Sequence, residues 1–207
     1  SRSRSAERDL DNLMLCLVIG VVIGARIFYI LFYNPGFYLQ QPLEMIKLWR
    51  GGLSFHGGLV GGIVAGLLFC KRKKLSFLKV ADLISVPLAL ALFFGRIANF
   101  INGELYGRVT QVPWAVKFSD ADGFRHPSQL YEAAKNVVIF MLLLMLRKKK
   151  LKDGMIFASF MILYGILRFF IEFFREPEVY IGMLTMGQLL SLIVAIAGIT
   201  LIVIAKK

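Results

Sequence analysis

Long apolar runs, broken by links dense in lysine and arginine, constrain this chain more than any other feature. A helix that crosses the hydrocarbon core of a bilayer needs about 20 mostly apolar residues. Six runs approach that measure, at about 12–33, 55–70, 80–101, 133–147, 154–174 and 184–205. Composition agrees with a membrane setting. The chain is 57% hydrophobic and 18% charged, whereas a soluble domain lies near roughly 45–50% and 25%. With 18 phenylalanines among 207 residues, it excludes a disordered chain and leaves too much apolar surface for a soluble globule of this size. The sequence thus predicts an all-α integral membrane protein, a single transmembrane domain over 1–207 built as a bundle of six helices.

The runs at 55–70 and 133–147 are short, and the first holds Gly57, Gly58, Gly61, Gly62 and Gly66. Both suit burial inside the bundle, and the glycines suit close backbone packing of the kind that joins helices in membranes. The basic residues then set direction. The N-terminal stretch (Arg2, Arg4, Arg8), the links at 71–79 and 147–152, and the tail Lys206–Lys207 hold 15 of the 25 lysines and arginines. The alternate segments, about 34–54, 102–132 and 175–183, hold six although they are longer. Both termini are therefore expected in the cytoplasm and those three loops outside. The net charge of +12 is accounted for by this asymmetry, and no nucleic-acid partner is expected. Ser1 is not an initiator methionine, and no signal peptide with a short apolar core opens the chain. A preceding portion is therefore expected.

Ionisable side chains inside a span are costly and direct attention to function. Arg26, late in the first run, has two open readings: snorkelling to the interface or facing a substrate. Asp82 and Lys135 read as solvated or capping, and Glu132 as a carboxylate at a helix start. Three clusters stand apart. In RGGLSFHGG (50–58), His56 enters a run between two glycine pairs, where imidazole offers a proton acceptor near neutral pH. In GRIANFINGELYGR (95–108), Arg96 and Asn99 share a helix face, Asn102–Gly103 signals a stop and a turn, and Glu104 and Gly107 follow. In the fifth run, Tyr164, Arg168, Glu172 and Arg175 recur at spacings of four, four and three. Arg168 and Glu172 read either as a structural i,i+4 pair or as part of a site in which guanidinium holds phosphate. Arg96 and Arg168 at one outer depth suit an anionic lipid head group. Cys16 and Cys70 lie in apolar runs and form no disulfide framework or metal site. There is no GxSxG elbow, P-loop, HExxH or CxxC. His126 reads as a loop anchor. On these residues alone, a carrier of anionic solutes and a membrane scaffold remain open beside an enzyme. The lack of internal symmetry, and the gathering of polar clusters at one face, argue against the carrier.

In order, RIFYILFYNP (26–35), GGLSFHGG (51–58), GRIANFINGELYG (95–107), RHPSQLYE (125–132), YGILRFFIEFFREP (164–177) and MGQLLS (186–191) resemble the prolipoprotein diacylglyceryl transferases of bacteria. The resemblance implies seven transmembrane helices with a small irregular periplasmic head. The family's first span, which carries an important tyrosine, has no counterpart here, leaving six. It also implies transfer of the diacylglyceryl group of phosphatidylglycerol to the lipobox cysteine of a preprolipoprotein in the inner membrane. Glycerol phosphate leaves, with no metal or organic cofactor. By the family's pattern, Arg96, Asn99, Glu104 and Gly107 belong to the phosphatidylglycerol-binding signature, Arg168 and Glu172 to a second polar face, and His56 is the proposed base; Asn102, Arg168 and Glu172 are expected to bind the lipid as well. His56, Arg168 and Arg96 are the expected catalytic groups.

Overall fold

The computed structural model describes residues 2–33, 35–177 and 180–206; of residues 2–7, Phe55, Ala205 and Lys206 only the backbone is described. The side chains of Arg2, Arg4 and Lys206, and Lys207 as a whole, which entered the charge count, lie outside the described residues, as do Glu178 and Val179 of the third expected outer loop. The helices are α1 (Arg2–Phe32), α2 (Pro35–Gln40), α3 (Phe55–Lys73), α4 (Phe77–Ile101), α5 (Ser128–Arg147), α6 (Met155–Ile171) and α7 (Met186–Lys206). A two-stranded antiparallel hairpin, β1 (Tyr180–Ile181) with β2 (Leu184–Thr185), precedes α7. Among the described residues, five helical segments are long and apolar enough to cross a membrane: Arg8–Phe32, Phe77–Ile101, Ser128–Arg147, Met155–Phe174 and Met186–Ile204. The protein is a multi-pass membrane protein of all-α class. Helix α3 covers the predicted 55–70 run but is not among the five; its last turn carries Lys71, Arg72 and Lys73.

The chain divides into two compact units, Ser1–Phe77 and Leu78–Lys207. In the first, α1 and α3 meet along a seam of glycines. A Cβ on Gly24 would stand 2.7 Å from Gly61 Cα, one on Gly20 2.7 Å from the Gly61 carbonyl oxygen, and one on Gly57 or Gly61 would collide with α1 backbone. Close approach of this kind maximises van der Waals contact where lipid offers no hydrophobic drive. The segment between α2 and α3 turns through two 3₁₀ helices, Pro42–Ile46 and Leu48–Arg50. Ser54 then caps α3, its hydroxyl accepting from Gly57 N–H at 3.4 Å, and its own N–H donates to the Ala25 carbonyl at 3.0 Å.

In the second unit, Val86 and Ala89 of α4, Ile139 and Leu143 of α5 and Phe160 of α6 form the core. Helices α6 and α7 pack through Gly165, whose Cβ would come 2.8 Å from Ala195 N, and Gly198. Asp82 caps a helix, though not its own: its carboxylate accepts from Gly154 N–H and Phe157 N–H of α6, both at 2.7 Å. That satisfies two of the orphan amides of α6 and places a negative charge at its positive end. Helix α5 starts at Ser128, five residues before the run predicted at 133. The polar residues of its first two turns are buried in the unit rather than placed in solvent.

Candidate active site

The outer end of α4 supplies the first group. Arg96 and Asn99 lie three residues apart, with Arg96 Nη1 donating to Asn99 Oδ1 at 3.5 Å. The helix ends at Asn102, which is exposed, and Gly103, whose φ of +71° suits glycine. The chain then folds back, so that Glu104 N–H donates to the Asn99 carbonyl at 2.9 Å and Asn99 Nδ2 donates to Glu104 Oε2 at 3.1 Å. Arg96, Asn99 and Glu104 thus form one hydrogen-bonded chain, which a helix-ending device alone does not require.

Gly107 is buried where three segments cross. Its N–H donates to the His126 carbonyl at 2.9 Å, and a Cβ there would collide with the Phe174 carbonyl and approach His126 Cβ to 2.8 Å. Arg108 N–H donates to the Phe174 carbonyl at 3.0 Å, and Arg108 Nε to the Arg175 carbonyl at 2.7 Å. His126 is therefore an anchor of this loop through its backbone. Its ring also contacts Tyr131, with Nδ1 3.0 Å from the phenol oxygen, and Trp114 Nε1 donates to that same oxygen at 2.7 Å. Burial pushes the His126 imidazole below its ordinary value, because a charged ring loses hydration there.

Helix α5 brings the group that the sequence understated. Ser128, Gln129, Glu132, Lys135 and Asn136 are all buried, on a polar stripe at spacings of three and four. Ser128 and Gln129 donate to the carbonyls of Leu105 (3.0 Å) and Glu104 (2.6 Å), tying the loop to α5. Glu132 is fully buried. Its carboxylate receives Lys135 Nζ at 2.7 Å and Arg168 Nη1, and Arg96 Nε stands 3.8 Å away. The Lys135 ammonium also sits 3.8 Å over the Tyr164 ring, a cation–π contact.

Arg168 bridges two carboxylates, Glu132 through Nη1 and Glu172 through Nη2 at 3.1 Å. The i,i+4 pair foreseen with Glu172 exists, but it is half of the arrangement. Arg175 Nε lies 3.6 Å from Glu172. Thr185 Oγ1 lies 3.4 Å from the other Glu172 oxygen, and Gly187 is bare because a Cβ would meet that carboxylate. Thr185 and Gln188 cap α7 reciprocally: Gln188 N–H donates to Thr185 Oγ1 at 3.1 Å and Thr185 N–H to Gln188 Oε1 at 3.0 Å. So the TMGQ turn fixes the wall behind Glu172.

Around two buried carboxylates, Glu132 and Glu172, stand four basic side chains, Arg96, Lys135, Arg168 and Arg175. Buried charges persist only when paired. An excess of basic groups with planar, preorganised guanidinium forks is suited to an anion such as a phosphodiester. Among the described residues no group of three His, Cys, Asp or Glu side chains could hold a metal ion. His56 belongs to the other unit, where it is exposed in the first turn of α3, two residues after the Ser54 cap. Arg175 lies on the face read from the sequence with Arg168 and Glu172, whereas Glu132 and Lys135, read there as a capping carboxylate and a solvated or capping group, are buried in the cluster, and Gln129 had no expected role. Their signal is the polar stripe Gln129–Glu132–Asn136 at the head of an apolar run.

A family model described as prolipoprotein diacylglyceryl transferase matches residues 1–204. Proteins named phosphatidylglycerol--prolipoprotein diacylglyceryl transferase are similar over most of the chain. That of Geobacter sulfurreducens is 44% identical, covering 96% of this chain and 79% of the relative. That of Rhodospirillum rubrum is 48% identical, covering 98% and 77%. That of Bordetella parapertussis is 49% identical, covering 92% and 76%. By these matches, the chain belongs to the prolipoprotein diacylglyceryl transferase family.

Proposed function

We propose that this chain transfers the diacylglyceryl group of phosphatidylglycerol to the thiol of the lipobox cysteine of preprolipoproteins and releases glycerol phosphate. The observation that carries the reading is the cluster in which Arg96, Arg168 and Arg175 gather around Glu132 and Glu172. We place it in the bacterial inner membrane as six spans, with α3 the sixth, both termini cytoplasmic, and outer loops at about 34–54, 102–132 and 175–183 on the periplasmic side.

The substrate thiol is a weak nucleophile until it loses its proton. His56 accepts that proton. The thiolate attacks the glyceryl carbon bearing the phosphodiester; an S–C bond forms, the C–O bond breaks, and glycerol phosphate departs with the electron pair. Charge grows on the leaving phosphate oxygen, and Arg96 and Arg168 stabilise it where water is scarce. Asn99 and Glu104 bind head-group hydroxyls, Glu172 holds Arg168 in register, and Asn102 and Gly107 shape the loop that receives the lipid. The step needs no metal or organic cofactor.

The test is a lipidation assay in detergent with phosphatidylglycerol and a peptide carrying the lipobox cysteine. Thioether formation and release of glycerol phosphate in equal amounts is the expected result. Binding of the lipid without thioether would instead indicate a carrier or a scaffold.

A further inference from the structure

Arg26 sits in α1 among apolar residues, six from the helix end, and is buried. It neither snorkels nor presents a free fork to a substrate. A guanidinium has five N–H donors, and each finds a backbone carbonyl of the segment before α3. Nε donates to Met45 at 2.9 Å. Nη1 donates to Gly51 at 2.6 Å and Gly52 at 3.0 Å. Nη2 donates to Glu44 at 2.6 Å and Lys47 at 3.4 Å. The buried Tyr38 ring covers the cation, 5.1 Å from its carbon. Gly51 and Gly52 have φ of +78° and +76°, and a Cβ on Gly52 would stand 2.9 Å from Arg26 Nη1. The carbonyls therefore turn inward only because the backbone there can take a left-handed conformation.

The adjacent residue closes the same loop from the other side, since the Ala25 carbonyl accepts from Ser54 N–H at 3.0 Å. Residues 25 and 26 thus hold both Gly51–Gly52 and Ser54, the cap on which the first turn of α3 and His56 depend. An isolated arginine in a span is costly; here its hydration is replaced by the loop's own carbonyls.

We infer that Arg26 is a positioning residue for the transfer reaction, acting through residues 44–54 to set the place of His56. This rests on the reading of His56 as the proton acceptor. Lysine keeps the charge but has three donors in place of five, so Arg26→Lys gives up at least two of the five contacts to the segment and loosens it.

The experiment combines amide exchange of the full protein with a double-mutant cycle, using phosphatidylglycerol in detergent micelles and a lipobox peptide. In Arg26→Lys, exchange should quicken across 44–57 while α3 beyond Gly61 stays as in the parent. Its transfer rate should fall about tenfold or more in the parent and less than about twofold in the His56→Gln background, the coupling expected of residues acting as one unit. A global loss of stability would lower both backgrounds alike. Unchanged exchange across 44–57, or equal losses in both backgrounds, overturns the inference. If His56→Gln itself keeps the full rate, the base reading falls and takes this inference with it. If His56→Gln is slow but the losses are equal, only the role of Arg26 falls.

Discussion

Replacing Glu132 by glutamine keeps its shape and removes one charge. The carboxylate is fully buried and directly serves two cations, Lys135 and Arg168, with Arg96 at 3.8 Å. Neutralising one partner of a buried ion pair costs about 3–5 kcal/mol, because the remaining charge stays desolvated. Arg168 still has Glu172, and Lys135 still has the Tyr164 ring, so the lower end of that range, about 3 kcal/mol, is expected. For a chain of this size each kcal/mol is worth about 2–4 °C, which makes a fall in Tm of about 6–12 °C in mild detergent. A companion variant sharpens the argument. Lys135→Met in the Glu132→Gln background removes the cation left with least compensation and should recover roughly half of the loss, a coupling of about 1–2 kcal/mol. Differential scanning of purified protein in one detergent reads both numbers. A Glu132→Gln protein within about 2 °C of the parent would refute the reasoning, for it would mean that the cluster is hydrated and that Glu132 does not hold its cations together.

Arg168→Lys retains charge but cannot span Glu132 and Glu172, which the fork does now. Its transfer rate should fall about ten- to a hundredfold, one charge-assisted contact being worth about 1.5–3 kcal/mol, and a normal rate in the lipidation assay would reduce Arg168 to a structural partner. Asp82→Ala leaves Gly154 N–H and Phe157 N–H uncapped; thermal unfolding should show a loss of about 1–2 kcal/mol with the rate per folded molecule unchanged. His126 is held below its ordinary value of 6.5 by burial, so the unfolded chain binds its proton first. Stability is full above about pH 6.5 and is lost as pH falls through the folded value; His126→Gln should flatten the lower limb of a Tm-versus-pH curve. Single cysteines placed in 108–124 should label from outside in intact cells and those in 147–153 should not, the reverse pattern refuting the orientation.

What the sequence made legible is what averages over a turn or more. Hydropathy over about twenty residues locates the long apolar helices because lipid tests every residue of a span in the same way. The Tyr164–Arg168–Glu172–Arg175 face is legible from its spacing, and so is the Asn102–Gly103 stop. Contacts across the chain are not. Nothing near Arg168 announces Glu132, thirty-six residues away, and Glu132 with Lys135 looks like the hydrated start of a helix until the folded unit buries both. For the same reason the fourth apolar run begins only at 133, whereas helix α5 begins at Ser128. The glycines of 57–66 announce a close helix partner, but not that Gly20 and Gly24 of α1 provide it. The β1–β2 hairpin has two residues per strand, too few for an alternating pattern to register against the surrounding loop.

The way the buried carboxylates are shared sets a timetable for synthesis. A ribosome delivers Arg96 first, then Glu132 and Lys135, then Arg168 and Glu172, and Thr185 with Gly187 last. Arg96 is without Glu132 until α5 is made, and Glu132 lacks Arg168 until α6 follows. Glu172 meets Thr185 only when the head of α7 has emerged. Insertion of the early helices therefore runs ahead of the chemistry, since domains form in order of translation. A nascent chain stopped after α5 is already a membrane protein, with Lys135 beside Glu132 and Glu172 not yet made. The cluster around Glu132 and Glu172 is in this sense a late product of synthesis, complete only when the head of α7 has been made.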